Sequence, residues 1–237
     1  MVIRIAALLY QIIFFMKKNI IYFITLWMVC SQAYAGIVVG GTRFIYPQSR
    51  KMITVPVENT DSERPYLIQS WIEDEDGINK TKEFVITPVI FQLNEKKKSM
   101  FRVLLRKADL KSDRETLFWL NVRGIPATES DTENKLQVVI NSKFKLFYRP
   151  DGLTEPDFNK IQYEISGRKI KILNKTPYHL TIKSININKK EHSVSDMIKP
   201  FDDLIVSANV IYEKNDIVIN YISDLGGVIS RPVVFNN

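Results

Sequence analysis

Few residues in this chain could carry covalent chemistry. It has two histidines, His179 and His192, and a single cysteine, Cys30. Neither histidine stands in a metal-ligand spacing, and the cysteine is remote from both. The context "PYHLTI" reads His179 as a strand residue. There is no G-x-S-x-G nucleophile elbow and no phosphate loop. The acidic run "IEDEDG", residues 72–77, lacks the spaced oxygen ligands of a calcium loop, because Ile78 falls where one belongs. Its Asp76-Gly77 pair reads as a solvated hairpin turn. Asn79-Lys80-Thr81 and Asn174-Lys175-Thr176 match the glycosylation pattern, which is short and weakly specific. Catalysis, a metal and an organic cofactor all lack support, and a secreted hydrolase would have no nucleophile–base pair.

The residues equipped to bind something are cations on a strand. "NSKFKLFYRP", residues 141–150, puts Phe144, Leu146 and Tyr148 on one face and Lys143, Lys145 and Arg149 on the other. The preceding "KLQVVI" sets Leu136, Val138 and Ile140 at alternate positions, on the face opposite Lys145. On alternation alone, Leu136, Val138 and Ile140 fill a core, as in any half-buried strand. Lys143 and Lys145 are then solvated strand lysines.

The elements that must position these residues are strands. Helical periodicity is nearly absent. Short β-branched and aromatic runs recur between turn signals, among them "GIVVG", "TRFIY", "KMITVPVEN", "YLIQSWIE", "SMFRVLL" and "TLFWLNVR". A second set, "IQYEIS", "KIKILN", "HLTIKSI", "DLIVSA", "DIVINYI" and "VISRPVVF", follows "PDGLTEPD". Pro150, Gly152 and Pro156 punctuate that break. The fold class is therefore all-β, with two immunoglobulin-like sandwiches spanning residues 36–152 and 153–237 and meeting at an angle across a cleft. The 237 residues, 45% of them hydrophobic, suffice for two such cores. A formal charge of +7 without a basic helix or an RNA-binding signature argues against nucleic acid.

Residues 1–35 read as a signal peptide. Lys17 and Lys18 precede an apolar run from Ile20 to Val29, and Ala33-Tyr34-Ala35 supplies the small-x-small cleavage pattern. Met16 is the better start, because it places the lysines directly after it, although Met1 is the alternative. The run is shorter than the roughly 20 residues of a membrane span, so no insertion is expected after cleavage. "WMVC" lacks the small residue of a lipidation site. Cleavage removes Cys30, which leaves no disulfide or thiolate chemistry, and lowers the formal charge from +7 to +4.

One segment is specific enough to indicate a family. "LKSDRETLFWLNVRGIPA", residues 110–127, closely resembles the signature of the periplasmic chaperones of the chaperone–usher pilus pathway; Lys111 departs from it, where a small residue or proline is usual. "GIVVGGTRFIYP", "RPYLIQSWIEDEDG", "KFKLFYRP", "TPY" (176–178) and "NYISDLGG" (220–227) resemble other strands of that PapD-like family. The resemblance implies that Leu136, Val138 and Ile140 are lent to a pilin subunit lacking its own last strand. It implies that Arg43 and Lys145 grip the pilin's terminal carboxylate in the interdomain cleft. It maps Glu115, Arg149 and Asp224 onto an interdomain charge cluster. The partners implied are pilin subunits and an outer-membrane usher, in the periplasm of a Gram-negative cell. The short stretch "RGIPATESDTENKLQ" suggests the short-loop (F1-G1) subfamily, and the family often has a cis peptide bond where Thr87-Pro88 stands.

On this reading the face carrying Lys145 opposes the donated side chains, which calls for twist, a bulge or the shape of the cleft to reconcile them. The alternative is a secreted adhesion or binding module of the same architecture. Which pilus is served, and whether the free protein self-associates through the lent strand, the sequence leaves open.

Overall fold

The computed structural model describes residues 15–17, 19, 36–106, 109–127, 137–153, 156–207 and 216–233. Met1–Gly36 and Ile37–Asn237 form two compact units. Most of the leader, much of the loop before β9 and Leu136 lie outside the described residues; Phe15, Met16, Lys17 and Asn19 are helical.

Nine strands build the first sandwich: β1 (Ile37–Val39), β2 (Arg43–Pro47), β3 (Met52–Asn59), β4 (Tyr66–Glu73), β5 (Phe84–Thr87), β6 (Ile90–Leu93), β7 (Lys98–Leu105), β8 (Thr116–Pro126) and β9 (Ile140–Arg149). One sheet has the order β1-β3-β7-β5 and the other β2-β9-β8-β4-β6. Alternate residues face inward, so Tyr46, Val55, Ile68, Phe101, Leu120 and Leu146 are fully buried between the sheets. The second sandwich packs the sheet β10-β11-β14 against β13-β12-β15-β16. Its strands are β10 (Ile161–Ser166), β11 (Lys169–Asn174), β12 (Leu180–Ile187), β13 (Lys190–Ile198), β14 (Asp203–Ser207), β15 (Ile217–Ile222) and β16 (Val228–Pro232). Ile170, Ile172, Ile182, Ile185 and Ile219 form the middle of its core.

Three strands were not singled out by pattern. β5 and β6 have four residues each and flank Thr87-Pro88, whose peptide bond is cis. β13 is a mostly polar edge strand, "KEHSVSDMI", with almost no buried face. Two other expectations change. The strand expected from residue 135 onward begins at Ile140. Asn174, read as a glycosylation match, is completely buried: its Nδ2 donates to the Tyr178 and Lys199 carbonyls, and its Oδ1 accepts from Thr176 N and Oγ1. Asn59 plays the same part in the first sandwich, donating to the carbonyls of Arg64, Leu93 and Asn94 and accepting from Asp61 N. Each asparagine satisfies a turn's backbone groups inside a core that offers no water.

The chain changes sheets between β1 and β2. A Cβ on Gly40 would stand 2.5 Å from Pro56 Cγ, so only glycine lets the backbone pass that close to β3. This switch carries β2 to the edge of the opposite sheet, where it runs parallel to β9 with Arg43 opposite Lys145 and Pro47 opposite Arg149.

Candidate functional site

β9 is covered unevenly. On one edge it pairs with β8 along its whole length, from Thr116↔Tyr148 to Gly124↔Ile140. On the other edge β2 reaches only from Lys145 to Arg149. Among the described residues, no strand pairs with that edge over residues 140–144. The even-numbered face turns from core to solvent along the strand: Leu146 and Tyr148 are buried, Phe144 is half-buried and Ile140 is 65% exposed. Val138, just ahead of the strand, is 67% exposed. Neither Val138 nor Ile140 fills a core. Two neighbouring apolar side chains next to unpaired N–H and C=O groups make an edge that invites another strand.

The odd-numbered face carries Lys143, Lys145, Phe147 and Arg149, and its C-terminal half turns toward the second sandwich. The β8–β9 register is continuous, so no bulge is needed to reconcile the two faces. Lys145 faces away from Ile140 by strand alternation alone, and the second domain packs against its side of the sheet. Phe147 supplies the contact: its buried ring lies 5.2 Å from that of His179. An aromatic between two cations was the sequence signal that this face is not wholly solvated. Lys143 is exposed, as expected, and its Nζ also lies 2.8 Å from Glu73 Oε2.

Arg149, Glu115 and Asp224 come together. Arg149 Nε donates to Glu115 Oε1 at 2.8 Å, and its Nη1 and Nη2 donate to Asp224 Oδ2 and Oδ1 at 2.7 and 3.1 Å. The guanidinium also lies over the Tyr178 ring, 5.0 Å from its centroid. Glu115 is almost fully buried just before β8, and its other oxygen accepts from His179 N at 2.9 Å. Its own N–H donates to the Pro177 carbonyl at 2.9 Å. One carboxylate thus binds a cation of the first domain and the backbone of the second. Burial disfavours charge on Arg149, but hydrogen bonds and charge from Asp224 and Glu115 outweigh it and push its pKa up.

Arg43 and Lys145 lie next to each other on β2 and β9, and the electrostatics are reversed. Arg43 Nη1 donates to the Ile222 carbonyl at 3.2 Å, and its guanidinium lies near the Phe147 ring, 5.8 Å from the centroid. Lys145 Nζ reaches Thr181 Oγ1 at 3.4 Å. Among the described residues neither cation forms an ion pair. Burial pushes the Arg43 guanidinium down, with Asp224 and Glu115 opposing from a distance. Burial, and then the positive charge of Arg43, push the Lys145 ammonium down, with Asp196 opposing. Two half-buried cations without a carboxylate form a site complementary to an anion.

A cleft of about 380 Å³ runs between the sandwiches beside this pair. Arg43, Phe147 and Arg149 line it from one side; Leu180, Thr181 and Asp224 are among its lining on the other. The seam has further contacts that no motif flagged. Lys199 Nζ pairs with Glu75 Oε1 at 2.7 Å, and Arg114 lies over the Phe201 ring, 4.8 Å from its centroid. Glu75 belongs to the acidic run read as solvated, so that reading holds for only part of it.

Known proteins share this architecture. Residues 36–154 match the family described as pili and flagellar-assembly chaperone, PapD N-terminal domain. Residues 157–232 match the pili assembly chaperone PapD, C-terminal domain. The chaperone protein FocC of Escherichia coli is 37% identical over 203 residues, covering 83% of this chain and 88% of the relative. FimC of E. coli K12 is 39% identical over 182 residues, covering 74% and 75%. The crystal structure of the periplasmic chaperone SfaE is similar at a TM-score of 0.68 with 33% identity, covering 84% of this chain and all of that one. The SafB chaperone of Salmonella enterica, solved in complex with the SafA pilin, is similar at a TM-score of 0.72 with 25% identity, covering 86% and 99%. The two immunoglobulin-like sandwiches, the half-covered β9 and the cation pair beside the cleft therefore sit in a chain that belongs to the PapD-like family of fimbrial chaperones, which assist pilus assembly and are not enzymes.

Proposed function

We propose that this protein caps pilin subunits by lending them the uncovered half of β9, and that Arg43 and Lys145 fix the register by holding the subunit's terminal carboxylate. The observation that carries this reading is the juxtaposition on one strand: residues 140–144 have an unpaired edge, and the edge ends where two half-buried cations lack an anion. A strand added there gains about 0.5–1.5 kcal/mol net per backbone hydrogen bond and about 1.5–3 kcal/mol per buried aliphatic side chain. Leu136, Val138 and Ile140 supply the side chains, and the backbone bonds tolerate many client sequences. A slip of one residue would turn every client side chain to the wrong face, so a fixed terminal charge has a definite use.

The remaining parts fit the same reading. Glu115, Arg149 and Asp224 hold the two sandwiches in the relation that keeps the cation pair beside the cleft. The leader is cut after Ala35, and residues 36–152 and 153–237 then work as the client-binding and second domains, in the periplasm and with no membrane insertion. The capped subunit passes to an outer-membrane usher, where a better-fitting pilin strand replaces the chaperone's without ATP. The short connection ahead of β9 suggests the short-loop subfamily. The pilin bound to the related SafB supports the choice of client.

The test is recovery of the protein from periplasm, with mass spectrometry of whatever co-elutes. A pilin should co-elute with the native chain and be lost from Arg43→Ala and Lys145→Ala, with folding intact. Glycan binding without any retained subunit would instead favour an adhesion module. Capture at native levels by either variant would refute the anchor.

A further inference from the structure

We infer that Lys143 is a positioning residue for the uncovered half of β9, and that the turn at residues 74–79 is the brace it acts through. The inference rests on the reading of that half-strand as the one offered to a client. Lys143 stands two residues before Lys145, where cover by β2 ends. Its Nζ is held by three elements at once. It pairs with Glu73 Oε2 of β4 at 2.8 Å, donates to the Gly77 carbonyl at 3.0 Å, and lies over the Trp119 ring of β8, 5.2 Å from the centroid.

The turn packs closely against this ammonium. Gly77 has φ +68, and a Cβ there would lie 2.5 Å from Lys143 Nζ and 3.1 Å from Trp119 Cδ1. The turn is itself pinned. Asp74 Oδ1 accepts from Ile78 N at 3.3 Å and Asn79 N at 3.4 Å, and Trp119 Nε1 donates to the Glu75 carbonyl at 3.0 Å. Trp71 Nε1 donates to Glu73 Oε1 at 2.8 Å, while Oε2 is buried and has the Lys143 ammonium as its ion-pair partner. Burial would raise the Glu73 carboxyl, yet the hydrogen bonds from Lys143, Trp71 and Asn121 hold it below its ordinary value. The same turn reaches the second domain through Glu75 and Lys199, 2.7 Å apart.

A strand paired on one edge frays more readily than one paired on both. Lys143 tethers the outward face of that strand to a fixed turn, which limits twisting of residues 140–144 away from β8. A strand already held in its bound shape loses less freedom when a client pairs with it, and the client stays longer. Lys143 touches no client in this account; it acts through the strand.

The test compares the processed full-length protein with Lys143→Ala, Lys143→Arg and Glu73→Gln. Amide hydrogen exchange is read separately over residues 140–144 and 145–149, beside the melting temperature. Lys143→Ala and Glu73→Gln should speed exchange over 140–144 about fivefold, leave 145–149 and the melting temperature unchanged, and shorten peptide residence by a similar factor. The peptide is a synthetic strand of alternating valine and threonine with a free terminal carboxylate; its amidated form is the control. Lys143→Arg, which keeps the charge over Trp119, should recover most of the loss. Unchanged exchange over 140–144 would overturn the inference. So would exchange that rises equally along β9 with a lower melting temperature, the mark of general destabilisation. If the carboxylate peptide fails to slow exchange over 140–144 in the native protein, the strand-lending reading fails instead, while exchange in the free variants still decides the brace.

Discussion

Arg149 and the pair Arg43–Lys145 lie on the same two strands, four residues of register apart along one seam, and they differ in their partners. Arg149 has two carboxylates within 2.7 Å, and the seam shifts its pKa up. Among the described residues Arg43 and Lys145 have no carboxylate partner, reaching a carbonyl and a hydroxyl, and burial shifts both down. Guanidinium and ammonium groups buried alike thus end up in opposite electrostatic states. A satisfied cation adds rigidity to the seam. An unsatisfied one costs stability in the free protein and recovers that cost when an anion arrives. The contrast separates the residues that hold the frame from those proposed to hold the client.

Substitution should break the contrast in two different ways. Arg43→Ala should weaken capture of the carboxylate-terminated peptide by about 2–5 kcal/mol, roughly thirtyfold to several-thousandfold, with thermal unfolding unchanged or slightly later. Equilibrium binding and calorimetry on one preparation check both halves. Arg149→Ala should do the reverse. It leaves the Glu115 carboxylate, only 2% exposed, without its cation and should cost about 3 kcal/mol of stability in denaturant titration. Separate unfolding steps for the two sandwiches would sharpen the point.

Smaller effects refine the comparison. Ile140→Ser should leave stability within about 0.5 kcal/mol, since the side chain is exposed, and lower peptide affinity by about 1.5–3 kcal/mol. Asp224→Asn should cost no more than about 1 kcal/mol of stability, because Asp224 is 47% exposed and Arg149 keeps Glu115. The pH dependence is the finest test. Lys145 in the free protein titrates below its ordinary 10.5, so unfolding takes up a proton in the window just under that value. Stability should therefore rise as pH climbs through the window. Peptide binding should fall over the same range, because it needs the ammonium, and Lys145→Arg should abolish that fall.

Parts of the fold were legible because burial imposes a period. "KIKILN" alternates and forms a strand with Ile170 and Ile172 inside, while "TLFWLNVR" is a run of β-branched and aromatic residues that forms a strand with Leu117, Phe118, Leu120 and Val122 buried. β13 hid because an edge strand in "KEHSVSDMI" has almost no buried face to generate a period. In the candidate site, Glu115, Arg149 and Asp224 were identified through resemblance, and the structure brings them within hydrogen-bonding distance. The partners of the exposed Lys143, Glu73 and Gly77, went unseen because they lie about 70 residues away, where local pattern carries no information. The pairing of Glu75 with Lys199 went unseen for the same reason, since Lys199 belongs to the other sandwich.

By itself the sequence determined the β class and the opposition of Lys145 to the apolar residues on β9. Those follow from local rules: side-chain period, turn chemistry and composition. Only the tertiary structure decided which half of β9 is covered, which cations find carboxylates, and that Phe147 and His179 close the seam. Charge satisfaction and edge pairing depend on which distant groups arrive within about 3 Å, and that distance is fixed by packing two domains rather than by any one stretch of chain.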